Sequence, residues 1–253
     1  MKIMKYAFFI DIDGTLTDDR TVPQKNLDAI SKARREGHKV FINTGRSLAF
    51  IPRFVLELTE HDGVVAGSGA YCRVGDEVIL AAKFDPETLK KAGAFLIGRG
   101  RKFMFEGQEV ILFHNRSIDR PGFFELTDVS ELESKYKDVA VEKINISGLI
   151  DEEEYEFLSR LMNTVRHPDY AECAPVGCDK GKGLQLVMER IGQGFKSVAI
   201  GDSANDIDMI KAADISVAMG NSDQSLKDIC DLVTLSNEEG GVGHIINTLT
   251  FVN

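Results

Sequence analysis

The feature that most constrains this chain is an apolar segment, Tyr6–Ile10, which ends abruptly at an acidic turn. An uninterrupted apolar run of this length is typical of a strand buried on both faces of a parallel sheet. Asp11 and Asp13 follow it, and residues two apart in an extended chain share a face. Gly14 then permits a sharp turn. The segment therefore predicts two carboxylates at the carboxyl end of a strand, where ligands of open α/β sheets bind.

Two neighbouring carboxylates at such an edge favour a bound cation, because like charges in contact disfavour double ionisation. Mg²⁺ is a hard cation that prefers oxygen ligands, so it suits this pair. A calcium-binding loop does not fit. With Gly14 at the sixth position of such a loop, Phe9 would occupy the first and would offer no ligand. A plain turn remains open as an alternative for this stretch alone.

The composition is that of an ordinary globular protein, with 253 residues of which 43% are hydrophobic and 28% are charged. This length allows one large domain or two smaller ones. The net charge of −10, without a long basic run, argues against a nucleic-acid partner. No apolar run reaches the length of a membrane span. The four cysteines lack metal-binding spacing, which favours reduced thiols and predicts a cytoplasmic protein.

Strands and helices alternate in the first third of the chain, which predicts a parallel sheet with crossover helices. The predicted elements there are a helix over 21–36, a strand over 39–42, a helix over 48–58 and a strand over 63–66. The same alternation returns after Asp179, with a predicted helix over 184–191 and a strand over 197–200.

The pattern differs between these two stretches. Seven of the fifteen phenylalanines lie between Phe84 and Phe124, enough for a separate small core, and a helix is predicted over 152–165. We therefore expect an α/β protein with a Rossmann-like parallel-sheet core, residues 1–82 and 178–253, and an inserted α+β domain, residues 83–177. The alternative is that the middle segment elaborates a single sheet.

Four ends of predicted strands or helices carry polar side chains that one crevice could collect. These are Asp11 with Asp13, then Thr44, then a lysine in the segment 179–183, and finally Asp202 with Asn205 and Asp206. The set suggests phosphoryl transfer, because a carboxylate can attack phosphorus to form an aspartyl phosphate. Mg²⁺ and a lysine would neutralise the phosphate oxygens, and a second acid could protonate the leaving oxygen and later activate water.

These four motifs, in this order, resemble those of the haloacid dehalogenase superfamily, and the chain resembles its Cof-type phosphatases with a C2B cap. The resemblance implies that Asp11 is the nucleophile and that Asp13 is the general acid and base, with its backbone carbonyl facing Mg²⁺. It also implies a phosphate-binding hydroxyl on Thr44. Asp202 would be the second carboxylate ligand of Mg²⁺, and Asp206 would support or join the metal shell.

The same resemblance assigns further residues. Gly45, Arg46 and Asn205 are expected to contact the substrate. The family usually has Asn-Gly-Ala after the third strand, where this chain has Ser68-Gly69-Ala70, so any contact made by the asparagine is in question. Of two nearby lysines, Lys180 fits the family frame Lys-Gly-x-Gly/Ala, whereas Lys182 would place a bulky glutamine where a small residue is expected.

The sequence thus predicts a Mg²⁺-dependent phosphatase of a small phosphomonoester, such as a sugar phosphate or related metabolite, with no nucleic-acid or membrane partner. One alternative is a phosphotransferase or phosphomutase that uses the same aspartyl phosphate. Another is a non-catalytic phosphate-binding protein, which the presence of both Asp11 and Asp13 disfavours. Specificity is expected to depend on residues of the inserted domain. No oligomeric state is predicted.

Overall fold

The computed structural model describes residues 4–17 and 20–251. Residues 1–3, 18–19 and 252–253 of the predicted core lie outside the described residues. Contacts divide the chain into two units. The first comprises Met1–Gly45, Ile51–Leu80 and Asp179–Asn253, and the second comprises Arg46–Phe50 and Ala81–Cys178. The assignment of these units as a catalytic core and an inserted cap remains a prediction.

The strands form two sheets. In chain order they are β1 (Lys5–Ile10), β2 (Lys39–Asn43), β3 (Gly63–Ala66), β4 (Tyr71–Val74), β5 (Glu77–Ala81), β6 (Phe103–Glu106), β7 (Ile111–His114), β8 (Phe123–Glu125), β9 (Lys143–Ser147), β10 (Asn163–Arg166), β11 (Tyr170–Ala174), β12 (Phe195–Gly201), β13 (Ile215–Ala218) and β14 (Leu232–Val233). The larger sheet has the order β14-β13-β12-β1-β2-β3-β4-β5. The six strands from β14 to β3 are parallel to one another, and β4 is antiparallel to β3. The parallel sheet predicted for an α/β protein is therefore confirmed.

Helices connect most of these strands. They are α1 (Gln24–Arg35), α2 (Arg53–Leu58), α3 (Pro86–Gly98), α4 (Glu152–Ser159), α5 (Lys180–Ile191), α6 (Ile207–Ala212), α7 (Gln224–Lys227) and α8 (Gly241–Phe251). Short 3-10 turns cover Leu48–Phe50, Val129–Leu132 and Ala204–Asp206.

Two predicted helices were too long. The helix expected over 48–58 is a 3-10 turn followed by α2, because Pro52 between them cannot donate a backbone hydrogen bond and disfavours helical geometry at Ile51. The helix expected over 152–165 ends at Ser159. Asn163–Arg166 instead pairs with β11 as an antiparallel strand, which its β-branched Thr164 and Val165 favour.

The three central strands of the larger sheet end side by side. Ile10 of β1 pairs with Ile42 of β2 on one side and with Ile200 of β12 on the other, and all three side chains are fully buried. The backbone N–H of Asp11 donates a 3.1 Å hydrogen bond to the Ile200 carbonyl, which extends this pairing by one residue. The register therefore brings the polar residues that follow β1, β2 and β12 to one edge of the sheet.

The second unit is built on a six-stranded sheet with the order β10-β11-β9-β6-β7-β8. One of its faces is apolar and packs against α3 and α4. This face carries Phe103, Phe105, Ile144, Ile146, Ala171 and Cys173, which contact Leu89, Ala92, Leu96 and Leu158 from the helices. The phenylalanines of the middle segment thus contribute to a separate core.

Candidate active site

A buried lysine joins two of the predicted site carboxylates. The Nζ of Lys180 donates a 2.7 Å hydrogen bond to Asp11 Oδ1 and another of 2.7 Å to Asp206 Oδ1, and it lies 3.4 Å from Asn205 Oδ1. The Lys180 side chain is only 2% exposed. The residue opens α5, and its carbonyl accepts a 3.0 Å bond from Nδ2 of Asn43 at the end of β2. The ammonium is therefore fixed between the ends of two strands.

The second candidate lysine lies elsewhere. Lys182 has a side chain that is 57% exposed, and its ammonium lies 3.8 Å from the carboxylate of Asp179. Glycine is required one residue later, because a Cβ on Gly183 would lie 2.4 Å from Cγ1 of Val65 in the sheet. This close approach brings the start of α5 against β3 and accounts for the small residue in the Lys-Gly-x-Gly frame. A role for Lys180 in turnover remains a prediction.

The loop after β12 places two more acids. Asp202 accepts a 2.9 Å hydrogen bond from the hydroxyl of Thr15, which lies in the loop after β1. The fully buried Asp206 accepts bonds from the backbone N–H groups of Asp202 (3.0 Å) and Ser203 (3.1 Å) through its other oxygen, Oδ2. A Cβ on Gly201 would lie 2.5 Å from Asp206 Cγ, so the strand must end in glycine here.

The loop after β1 turns at Gly14, whose φ is +71°. Its carbonyl accepts a 2.8 Å hydrogen bond from Nδ2 of Asn221, in the loop after β13. Asp13 is half-buried, and its backbone pairs with that of Thr17. Neither Asn221 nor Thr15 was among the predicted site residues. Asn221 follows the carboxyl end of β13, which is a parallel strand. Ligands of open α/β sheets bind at such strand ends, so this rule could also have identified Asn221 from the sequence.

The remaining predicted residues follow β2. Thr44 is buried; its N–H donates to the Val65 carbonyl at 2.9 Å, and its carbonyl accepts a 3.3 Å bond from Ser68 N–H. Gly45 is also buried. Arg46 belongs by its contacts to the second unit, where its guanidinium donates a 3.2 Å bond to the Phe50 carbonyl. The structure thus joins Lys180 directly to Asp11, Asn205 and Asp206.

The site carries more negative than positive charge. Asp11, Asp202 and Asp206 each offer one oxygen, and these three atoms lie within 4.8 Å of one another. Burial raises the pKa of Asp11 well above its usual value, although Lys180 opposes this effect. Burial, followed by the charge of Asp206, raises the pKa of Asp202 to about 6. Burial alone would lower the pKa of Lys180, but Asp11 and Asp206 raise it further, so the ammonium stays charged.

One ammonium therefore faces three carboxylates, and burial, with a smaller effect of the neighbouring carboxylates, raises the pKa values of Asp11 and Asp202. A bound cation would compensate the excess negative charge. Carboxylate oxygens are the ligands that Mg²⁺ prefers, so the donor set fits this ion.

A family model described as haloacid dehalogenase-like hydrolase matches residues 8–246. The chain belongs to this family. The phosphoglycolate phosphatase of Methanopyrus kandleri is 29% identical over 249 residues, which cover 94% of each chain. The 5-amino-6-(5-phospho-D-ribitylamino)uracil phosphatase YcsE of Bacillus subtilis is 25% identical over 249 residues, covering 94% of this chain and 92% of the relative.

Solved structures agree with this membership. The haloacid dehalogenase subclass IIB sugar phosphatase BT4131 superposes with a TM-score of 0.81 at 26% identity, over 96% of this chain and 98% of that one. The resemblance inferred from the four motifs is confirmed, and this haloacid dehalogenase family member is an enzyme of the phosphatase type. Over residues 4–17 and 20–251, we find no helix with the length and apolar character that crossing a membrane requires.

Proposed function

We propose that this phosphatase depends on Mg²⁺ and hydrolyses a small phosphomonoester through an aspartyl phosphate on Asp11. The observation that carries the proposal is the buried Lys180 ammonium, 2.7 Å from both Asp11 and Asp206 at the edge where β1, β2 and β12 end. Buried ion pairs seldom stabilise a fold more than apolar residues would. Such a concentration of charge supports a role in binding and reacting with a charged ligand.

In the first half of the proposed reaction, a carboxylate oxygen of Asp11 attacks phosphorus and the bond from phosphorus to the substrate oxygen breaks. Asp13 gives its proton to that oxygen, so an alcohol leaves and the phosphoryl group stays on Asp11. In the second half, Asp13 takes a proton from a water molecule whose oxygen attacks phosphorus. Inorganic phosphate leaves, and both aspartates return to their starting states.

The surrounding residues have supporting roles in this proposal. Lys180 favours the ionised form of Asp11 and offsets the charge that the phosphate brings. The Thr44 hydroxyl and the Gly45 N–H would hold phosphate oxygens, and Asn205 and Arg46 would contact the substrate. Mg²⁺ would be held by Asp11 and Asp202, with the Asp13 carbonyl and Asp206 as further ligands, and when bound it would supply positive charge at the phosphate oxygens.

The experiment measures phosphate release by the purified chain from para-nitrophenyl phosphate and a panel of phosphorylated metabolites. We expect release that requires Mg²⁺, stops with EDTA and is abolished in Asp11→Asn, because that change removes the attacking charge. Asp76→Asn, at an exposed turn position, is the matched control and should behave as wild type. Acid-quenched samples should show a phosphorylated peptide that contains Asp11.

Two results would contradict the proposal. Full activity in a folded Asp11→Asn protein would exclude the covalent step on this residue. Transfer of the phosphoryl group to a second sugar without release of phosphate would instead identify a phosphotransferase or phosphomutase.

A further inference from the structure

A buried carboxamide lies where the end of β2 meets the start of α5. Asn43 is the last residue of β2 and is fully buried, as are the apolar residues 40–42 before it. Its Nδ2 donates a 3.0 Å hydrogen bond to the backbone carbonyl of Lys180, the first residue of α5. A polar side chain thus occupies a strand position that an apolar one would fill at less cost, because a buried polar group needs hydrogen-bond partners.

Only half of this carboxamide has a partner. A carbonyl oxygen can only accept a hydrogen bond, so the Lys180 carbonyl fixes which side of Asn43 carries the N–H groups. The acceptor on the other side, Oδ1 of Asn43, is also buried, and no residue of 4–17 and 20–251 donates to it. A buried acceptor without a donor lowers stability, and an apolar side chain of similar volume would avoid that loss. The stability of the fold alone therefore does not account for Asn43.

The chain around Lys180 is closely fitted on its other sides. A Cβ on Gly69, in the loop after β3, would lie 2.1 Å from the carbonyl oxygen of Asp179. The Asp179 carboxylate accepts a 2.7 Å hydrogen bond from the N–H of Lys182, which caps the helix. These contacts hold the start of α5 against the sheet, and the bond from Asn43 adds a directional contact to Lys180 itself.

The position of the Lys180 main chain decides where its ammonium lies. The side chain is 2% exposed, and its Nζ lies 2.7 Å from Oδ1 of Asp11 and from Oδ1 of Asp206. Hydrogen bonds of this kind weaken beyond about 3.2 Å, so a displacement of about 1 Å away from either oxygen would lose that bond. Because the side chain is enclosed by packed atoms, rotation about its own bonds does not freely correct a displaced main chain.

We propose that Asn43 is a positioning residue for the phosphatase reaction and that it acts through Lys180. Its carboxamide holds the first residue of α5 at the end of β2, so that the ammonium lies between Asp11 and Asp206 and offsets the charge of an arriving phosphate. This inference rests on the proposed function. It differs from two other roles, a contribution to folding alone and an effect on the adjacent Thr44, and one experiment separates the three.

The experiment is a double-mutant cycle with para-nitrophenyl phosphate as the substrate and Mg²⁺ present. It compares Asn43→Leu, Lys180→Met and the combination of both, and leucine removes the hydrogen-bond donor with little change in volume. In the enzyme that retains Lys180, we expect Asn43→Leu to lower kcat/KM about tenfold, because a small misplacement of a catalytic group has effects of this order or larger. In Lys180→Met, the same change should lower kcat/KM less than about twofold, since no ammonium remains to be positioned.

Thr59→Val is the matched control. Thr59 is 2% exposed, lies in the first unit and donates a hydrogen bond from its hydroxyl to the Val55 carbonyl in α2. Like Asn43→Leu, this change removes a buried bond to a backbone carbonyl, but it does so away from the predicted catalytic residues. It should lower the thermal midpoint while changing kcat/KM less than about twofold with or without Lys180.

Two results of the cycle would overturn the inference. One is an equal loss for Asn43→Leu with and without Lys180, which would indicate a role in folding or an effect on Thr44. The other is no loss in the enzyme that retains Lys180. A wild-type protein that releases no phosphate from any phosphomonoester would instead overturn the proposed function, and with it this inference.

Two further measurements decide if a variant cannot be assayed. Asn43→Ala also lacks the donor, and it replaces Asn43→Leu if the leucine variant does not fold. If Lys180→Met is too slow to measure, crystal structures of wild type and Asn43→Leu are compared. We expect the Lys180 ammonium of the variant to leave hydrogen-bond distance of Asp11 or Asp206, and an ammonium still 2.7 Å from both would overturn the inference.

Discussion

The Asn221 carboxamide donates a 2.8 Å hydrogen bond to the carbonyl of Gly14, although the two residues are far apart in the sequence. Its oxygen in turn accepts a 3.0 Å bond from the backbone N–H of Asn237. A side chain does not fit at position 14, since a Cβ on Gly14 would lie 2.4 Å from Oδ2 of Asp202. Asn221 thus ties the turn that carries Asp13 to the loops at the same edge of the sheet.

We expect Asn221→Leu to lower kcat by about fivefold to tenfold, the effect of losing one hydrogen bond of about 1 kcal/mol. The loss should appear in kcat more than in KM, because the bond orients the acid-bearing turn rather than the substrate. Ser225→Ala, at an exposed position nearby on α7, should change neither constant. Steady-state kinetics check this, and an increase in KM alone would show that Asn221 contributes to binding instead.

Lys180→Met should reduce kcat/KM by about a hundredfold or more, because removing a preorganised charged group from a catalytic site has effects of that size. The change also leaves Asp11 and Asp206 without their shared ammonium. Lys182→Met is the matched control, and it should leave kcat/KM almost unchanged because its side chain is exposed. The assignment would move to Lys182 if that variant, and not Lys180→Met, lost activity.

Mg²⁺ should raise the thermal midpoint of unfolding, because an ion held by Asp11, Asp202 and Asp206 binds the folded state only. The increase should be smaller in Asp202→Asn, which lacks a carboxylate oxygen, and unchanged in Asp76→Asn. A thermal melt with and without Mg²⁺ measures this without depending on turnover. An equal shift in wild type and Asp202→Asn would place the metal elsewhere.

We expect Ca²⁺, which prefers more ligands, to inhibit turnover.

Much of the first unit could be predicted because its signals are local. The apolar run before Asp11 and the acids after Ile200 mark strand ends, and strand register alone brings them to one edge. Asn221 was missed because its role is a single contact with a backbone carbonyl distant in sequence. Hydrophobic periodicity also predicted two helices that were too long. It takes no account of the break that Pro52 causes, nor of the pairing of Thr164 with another strand.

The polar face of the second sheet could not be predicted from sequence either. Lys143, Asn145 and Glu172 occupy alternate strand positions that, in a sequence, resemble a solvated face. Only the packing shows that Lys143 and Glu172 are buried and that Asn145 is half-buried. The segment Arg46–Phe50 is a similar case, because its neighbours in sequence belong to the first unit whereas its contacts belong to the second.

Glu172→Gln should lower the thermal midpoint at neutral pH, since it removes the negative charge that pairs with the buried Lys143 ammonium. The folded-state pKa of Glu172 is depressed, so its contribution is fully present above the unfolded pKa of about 4.3 and is lost as pH falls toward the folded value. The difference between wild type and variant should therefore shrink below about pH 4. Thermal melts of both proteins across this pH range test the prediction. A difference in thermal midpoint that does not change with pH would contradict it. Glu125→Gln, at an exposed position on β8 of the same sheet, is the control.

The last prediction concerns Ser68, which has a φ of +53° although it is not a glycine. This left-handed conformation strains most side chains, whereas asparagine adopts it more readily. Ser68→Asn should therefore raise the thermal midpoint by about 1–3 °C, corresponding to a gain of a few tenths to about 1 kcal/mol. Ser134→Asn, at an exposed position without a positive φ, is the control and should show no gain.

Ser68→Gly separates strain from contacts that an asparagine side chain would add. Glycine relieves the strain at Ser68 fully but also increases the entropy of the unfolded chain, so its gain should be smaller than that of asparagine. If both variants melted at or below the wild-type temperature, the turn that joins Ser68 N–H to the Thr44 carbonyl would not be strained by its serine.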